Sequence, residues 1–162
     1  MNLSQKLWEN NLYLAEKSLQ TKFVQNLKNG KLPKEKFQIY VAQDAFFLEC
    51  FARAYGLAIS KAKDKTTIKL LSELLLGVSE ELVLHDSYAK KWGINLDLNK
   101  IELSTKNYTD FLNDVSQKNN LVEIMCAMAP CMRLYAWIGK SIANEYNNNP
   151  YKEWIETYSD KS

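Results

Sequence analysis

The stretch 33–62, PKEKFQIYVAQDAFFLECFARAYGLAISKA, decides the fold. Pro33 suits the first turn of a helix, where its missing N–H would be unpaired in any case, and apolar residues then recur at helical spacing to about Ala62. With successive residues turned by about 100°, Tyr40, Phe47, Leu48 and Phe51 all lie within about 60° of Asp44. This carboxylate therefore projects from an aromatic, core-facing stripe. A buried acid left unpaired is costly or has its pKa raised, so Asp44 needs a donor from another helix or from a ligand. A structural hydrogen bond to a neighbouring Tyr or Arg, with Arg53 and Arg133 as candidates, stands beside the ligand-binding alternative.

Helical patterns continue on both sides of this stretch. The first runs from about Leu3 to Leu27, with Leu7, Trp8, Leu12, Tyr13, Phe23, Val24 and Leu27 as inward positions, and Asn29-Gly30 ends it. Another fits Lys65 to Trp92, stopped by Gly93. Residues 94–104 are polar and read as a loop, followed by a shorter helix over 105–117 with Ser104 as N-cap. The next helix spans about Leu121 to Tyr146 with Pro130 inside it, where the lost backbone hydrogen bond is expected to kink the helix and re-aim Cys131. Asn147-Asn148-Asn149-Pro150 forms a loop into a last helix, with Tyr151, Trp154, Ile155 and Tyr158 on one face. The expectation is an all-α bundle of about six helices forming a single domain over residues 1–162.

Composition agrees. The chain has 162 residues, 46% apolar and 25% charged, with only five Gly and three Pro, too few turn formers for a β sandwich or barrel. At this size roughly 70% of the unfolded chain's surface is buried on folding, so neither disulfide nor structural metal is needed. Lys and Arg number 21 against 19 Asp and Glu, and the basic residues are scattered, which argues against nucleic acid and for a small-molecule ligand. The N-terminus has no signal-peptide core and no apolar run approaches the 18 or so residues of a membrane span, so a cytoplasmic protein is expected. Cys50, Cys126 and Cys131 form no CxxC or zinc spacing, which fits reduced thiols.

Several residues compete for chemical roles. Cys131 shares a helix face with Ile124, Tyr135 and Ile138 and looks inward, while Cys126 points away. A buried Cys is commonly a small core hydrophobe, and no local His or Lys lowers its pKa. His85 is the sole histidine and follows Glu81 by four residues. Helical di-iron sites use such pairs but need a second His from another helix, so a buried or ion-paired structural histidine is the favoured alternative and no metal site is expected. Tyr108, Tyr135 and Tyr158 come from three helices and offer faces and hydroxyls to a flat heteroaromatic ligand, with ordinary core packing as the alternative.

Taken in order, these residues resemble the TenA/thiaminase II family. The matching segments are Gly30-Lys31-Leu32-Pro33-x-x-x-Phe37-x-x-Tyr40-x-x-Gln43-Asp44, Glu81-x-x-x-His85, Ala129-Pro130-Cys131-x-x-x-Tyr135-x-x-x-Gly139 and Tyr151-x-x-Trp154-Ile155-x-x-Tyr158. The resemblance implies a haem-oxygenase-like helical fold, a cytoplasmic homotetramer, no cofactor, and hydrolysis of thiamin or its aminomethylpyrimidine breakdown product to hydroxymethylpyrimidine in thiamin salvage. By that similarity Cys131 is the nucleophile that adds to the pyrimidine ring and Asp44 grips the exocyclic amino group. Tyr108 lies near the ring nitrogen, and Tyr135 and Tyr158 orient and stack the ring.

Three departures from the family pattern stand out. Thr21-Lys22-Phe23 replaces a common His-Pro-Phe, and Phe47 occupies a substrate-binding position where the family carries a tyrosine. Family chains also continue for roughly two further helices, which hold the acid that protonates the ring, so the chain is expected to be short at its C-terminus. Two alternatives follow: an aminopyrimidine-binding protein without catalysis, and, less favoured, a helical di-iron oxygenase.

Overall fold

Thr21 divides the first helical run in two. In the computed structural model, which describes residues 2–96, 100–143 and 148–160, α1 spans Leu3–Leu19 and α2 spans Lys22–Lys28. Thr21 is extended between them, and its Oγ1 accepts the Val24 N–H at 3.4 Å while donating to the Ser18 carbonyl at 2.8 Å. A hydroxyl that serves both helix ends makes a boundary there. The departure at Thr21-Lys22-Phe23 thus starts a helix. The remaining helices are α3 (Lys34–Lys61), α4 (Lys65–Trp92), α5 (Leu103–Lys118), α6 (Leu121–Ile142) and α7 (Lys152–Asp160). The described residues therefore form seven helices and no strand, where about six helices were expected.

The chain forms two compact units, residues 34–129 and the paired segments 1–33 and 130–162. In the first unit, α3 supplies Phe37, Val41, Leu48, Phe51, Ala54 and Tyr55 to the core, and α4 adds Leu71, Val78 and Tyr88. Asp64 caps α4 by accepting the Thr67 N–H, and Gly93 ends it at φ 64°, a left-handed conformation that costs glycine little. The expected Ser104 cap does not form. Glu102 precedes α5 without a side-chain cap, and its N–H donates instead to Gln43 Oε1 at 3.0 Å, while Gln43 Nε2 donates to the Lys100 carbonyl at 3.1 Å. A tertiary partner on α3 thus replaces the local one. At the other end of α5, Lys61 Nζ donates to the carbonyls of Ser116, Gln117 and Asn119 at 2.7, 3.2 and 2.7 Å.

In the second unit, Asn149 Nδ2 donates to the carbonyls of Leu27 and Lys28, and its Oδ1 accepts the Tyr151 N–H. The Tyr151 hydroxyl donates to the Leu32 carbonyl. The two bonds from Asn149 Nδ2 reach carbonyls at the end of α2, where the helix has no further N–H to offer them. Trp8 packs edge-on against Trp137 at 6.0 Å, with the Arg133 guanidinium 4.6 Å from the Trp8 ring centroid.

Of the inward positions expected in the first run, Leu27 is buried, Trp8, Leu12, Phe23 and Val24 are half-buried, and Leu7 and Tyr13 are exposed. The break at Thr21 resets the helical phase, so one stripe cannot serve both helices. Pro130 lies inside α6. Tyr146 and Asn147, expected at the end of that helix and in the loop after it, lie outside the described residues. By length and average hydropathy α6 is long and apolar enough to cross a membrane, although no uncharged run within it approaches 18 residues. Its charged residues, Glu123, Arg133 and Lys140, are too widely spaced to break the apolar average.

Candidate functional site

Asp44 finds its donors on α3 and α4. One turn back on α3, the Tyr40 hydroxyl donates to Asp44 Oδ2 at 3.1 Å, and His85 Nε2 lies 2.9 Å from the same oxygen. Both members of the pair are buried, Asp44 at 8% and His85 at 2% exposure. Neither expected arginine takes part: Arg53 pairs with Glu49 at the surface, and Arg133 donates to Ser4. Arg53 lies nine residues along α3 and half a turn away in phase, which explains its failure to reach.

The second His85 nitrogen is also engaged, with Nδ1 2.8 Å from the Glu81 carbonyl. Burial works against the charged imidazolium, but the hydrogen bond and charge of Asp44, with those of Glu81, outweigh it and raise the His85 pKa above its ordinary 6.5. The Glu81-x-x-x-His85 spacing therefore joins a backbone carbonyl to an imidazole. Among the described residues, no group of three or more His, Cys, Asp and Glu side chains is placed to hold a metal ion. His85 is the residue that sequence reasoning left out of the site. A buried acid lacking a donor and a single histidine on an apolar helix were the signals that could have joined them.

Three residues beyond Asp44, Phe47 packs against Tyr108 with centroids 5.3 Å apart and planes inclined by 33°. The Tyr108 hydroxyl donates to the Ala127 carbonyl at 3.1 Å, which fixes the ring's roll. The unit formed by residues 34–129 thus carries Asp44, bonded to Tyr40 and His85, and one turn along α3 the Phe47–Tyr108 ring pair.

The other unit carries Cys131, Tyr135 and Tyr158. Cys131 and Tyr135 are one turn apart on α6, and the thiol is half-buried. Tyr158 from α7 meets Tyr135 at 5.0 Å and Trp154 at 4.5 Å, so Trp154 completes an aromatic trio. Gly139 lets this happen. A Cβ built there would lie 2.4 Å from the Tyr158 carbonyl carbon and oxygen and 2.8 Å from the Ser159 nitrogen, so α7 seats its backbone where only glycine leaves room. The other thiols differ in kind. Cys50 is buried and donates to Asn113 Oδ1 at 3.1 Å, while Cys126 is exposed.

Among the described residues, seven helices, with a buried acid–imidazole pair on the third and fourth, define an all-α helical protein with a polar pair set in an aromatic core. The chain belongs to the TENA/THI-4/PQQC family, whose model matches residues 13–162, in agreement with the motif resemblance. It is 33% identical over 166 residues to an aminopyrimidine aminohydrolase of Halalkalibacterium halodurans, covering 98% of this chain and 74% of that protein. An uncharacterised Haemophilus influenzae protein is 33% identical over 147 residues, covering 87% of this chain and 68% of its own length. The solved structure of a TenA homologue from P. horikoshii OT3 matches with a TM-score of 0.88 at 28% identity, over 98% of this chain and 77% of that one.

Proposed function

We propose that this protein is a hydrolase of the thiaminase II type, acting on thiamin or its aminomethylpyrimidine breakdown product and releasing hydroxymethylpyrimidine. The observation that carries this reading is the similarity to an aminopyrimidine aminohydrolase across 98% of the chain. The buried Asp44, held by Tyr40 and His85, supports it, because an ionised carboxylate accepts hydrogen bonds and suits an exocyclic amino group.

In this reading Cys131 Sγ adds to the pyrimidine ring, and the adduct expels the amine or thiazole from the adjacent methylene carbon. Water then takes the vacated position, and the ring–sulfur bond breaks as hydroxymethylpyrimidine leaves. Asp44 holds the amino group, Phe47 and Tyr108 supply ring surface beside it, and Tyr135 and Tyr158 orient and stack the ring. No organic cofactor is required for this sequence of steps. A cytoplasmic salvage role and a homotetramer belong to the same reading, and the second is tested by light scattering.

The test is direct. Incubation with thiamin and, separately, with aminomethylpyrimidine should release hydroxymethylpyrimidine from at least one. Binding of hydroxymethylpyrimidine by calorimetry without turnover of either compound would favour the non-catalytic alternative, and neither binding nor turnover would remove both.

A further inference from the structure

His85 stands between two acceptors. A backbone carbonyl can only accept, so the Nδ1 facing Glu81 O at 2.8 Å carries a proton. Nε2 faces Asp44 Oδ2 at 2.9 Å, and that oxygen already receives the Tyr40 hydroxyl. An oxygen that already accepts the Tyr40 hydroxyl is a poor seat for a carboxyl proton, so the proton shared between Asp44 and His85 belongs on Nε2. We propose that His85 is a positioning residue for Asp44: as an imidazolium it holds the carboxylate ionised and acceptor-only, so that the site selects amino-substituted over oxo-substituted pyrimidines.

The selectivity follows from hydrogen-bond polarity. An exocyclic amino group donates to a carboxylate, whereas an oxo group in the same place sets acceptor against acceptor and leaves a buried polar group unmatched. If Asp44 took up a proton, it could donate to the oxo group and the discrimination would shrink. The raised His85 pKa agrees with an imidazolium that persists near neutral pH. Titratable groups around the pair come from Tyr40 on α3 and from Glu81 and Tyr88 on α4. On α5, which also packs on α3, the charged Asp110 acts on Cys50.

This proposal rests on Asp44 holding the amino group, and its test separates the two. Because His85 is the only histidine, nitrogen NMR of the histidine-labelled full chain reports on it alone, with no ligand present. The expected result is a doubly protonated ring at pH 6.5 and somewhat above, and a ring that gives up its second proton at lower pH in Asp44→Asn, where burial is no longer offset by the carboxylate; a singly protonated ring at pH 6.5 in the wild type would overturn the proposal. Calorimetry then compares hydroxymethylpyrimidine with its 4-oxo analogue. His85→Gln, checked for native helicity, should weaken binding of the amino compound about 10-fold or more and narrow its preference over the oxo compound. An unchanged preference in His85→Gln would overturn the selectivity role. If the wild type binds neither compound while its ring is doubly protonated, the function proposal and the selectivity it supports both fall, and the ion pair stands as structural.

Discussion

Gly139 on α6 lies in direct apposition to the main chain of Tyr158 on α7, close enough that a methyl group at Gly139 would stand 2.4 Å from the Tyr158 carbonyl oxygen. Backbone atoms yield less than flexible side chains, so the two helices can only separate. Gly139→Ala should therefore destabilise the protein by about 1–3 kcal/mol and lower the melting temperature by about 2–4 °C for each kcal/mol. Gly56→Ala and Gly77→Ala, at helical positions where a Cβ meets nothing within 4 Å, should instead stabilise by about 0.5–1 kcal/mol through helix propensity. Thermal melts of the three variants check the contrast, and equal effects would refute the close approach.

The His85–Asp44 pair makes stability depend on pH in a defined direction. The folded-state pKa of His85 lies above its unfolded value of 6.5, so folding favours the protonated ring. The stabilisation is complete below pH 6.5 and is lost as pH rises through the raised folded value. The difference in melting temperature between wild type and His85→Gln should accordingly shrink as pH rises above 6.5. A difference that stays flat or widens over that range would show the sign to be wrong.

The cysteines should separate by reactivity. Burial pushes the Cys50 thiol's pKa up, the Arg53 charge counters this, and Asp110 adds to the rise. Iodoacetamide at neutral pH should therefore label the exposed Cys126 well before Cys50, which should react only on unfolding. Peptide mass spectrometry reads the order, and equal rates would contradict the packing around Cys50.

Lys61 ties the end of α3 to the end of α5 through three carbonyls. Lys61→Met keeps most of the side chain's length but removes the charged donor. A loss of about 1–2 kcal/mol in urea unfolding is expected, and no loss would mean that water replaces the ammonium without cost.

Periodicity made the long helices legible, because α3 and α4 carry apolar residues at helical spacing, and Gly93 marks the end of α4. Thr21 was harder: threonine is tolerated inside a helix, and only its bonds to Ser18 and Val24 reveal a boundary. The start of α5 differs from the local pattern for a related reason: Glu102 N–H meets Gln43 on α3, a partner that no local spacing contains. Asp44 was visible as an acid on an apolar stripe, and Phe47 and Tyr108 meet in space. Its partner was not visible, because the 41-residue separation between Asp44 and His85 leaves no trace in helical spacing. Gly139 shows the converse case, a motif glycine whose reason appears only when α7 is laid beside it.

The most direct measurement is release of hydroxymethylpyrimidine from aminomethylpyrimidine and from thiamin by the wild type and by single alanine variants of its cysteines. Cys131→Ala is expected to lose turnover by about three orders of magnitude or more, as removal of a covalent nucleophile does, while Cys126→Ala retains the wild-type rate and both variants keep native helicity. Turnover that survives undiminished in Cys131→Ala would contradict the account.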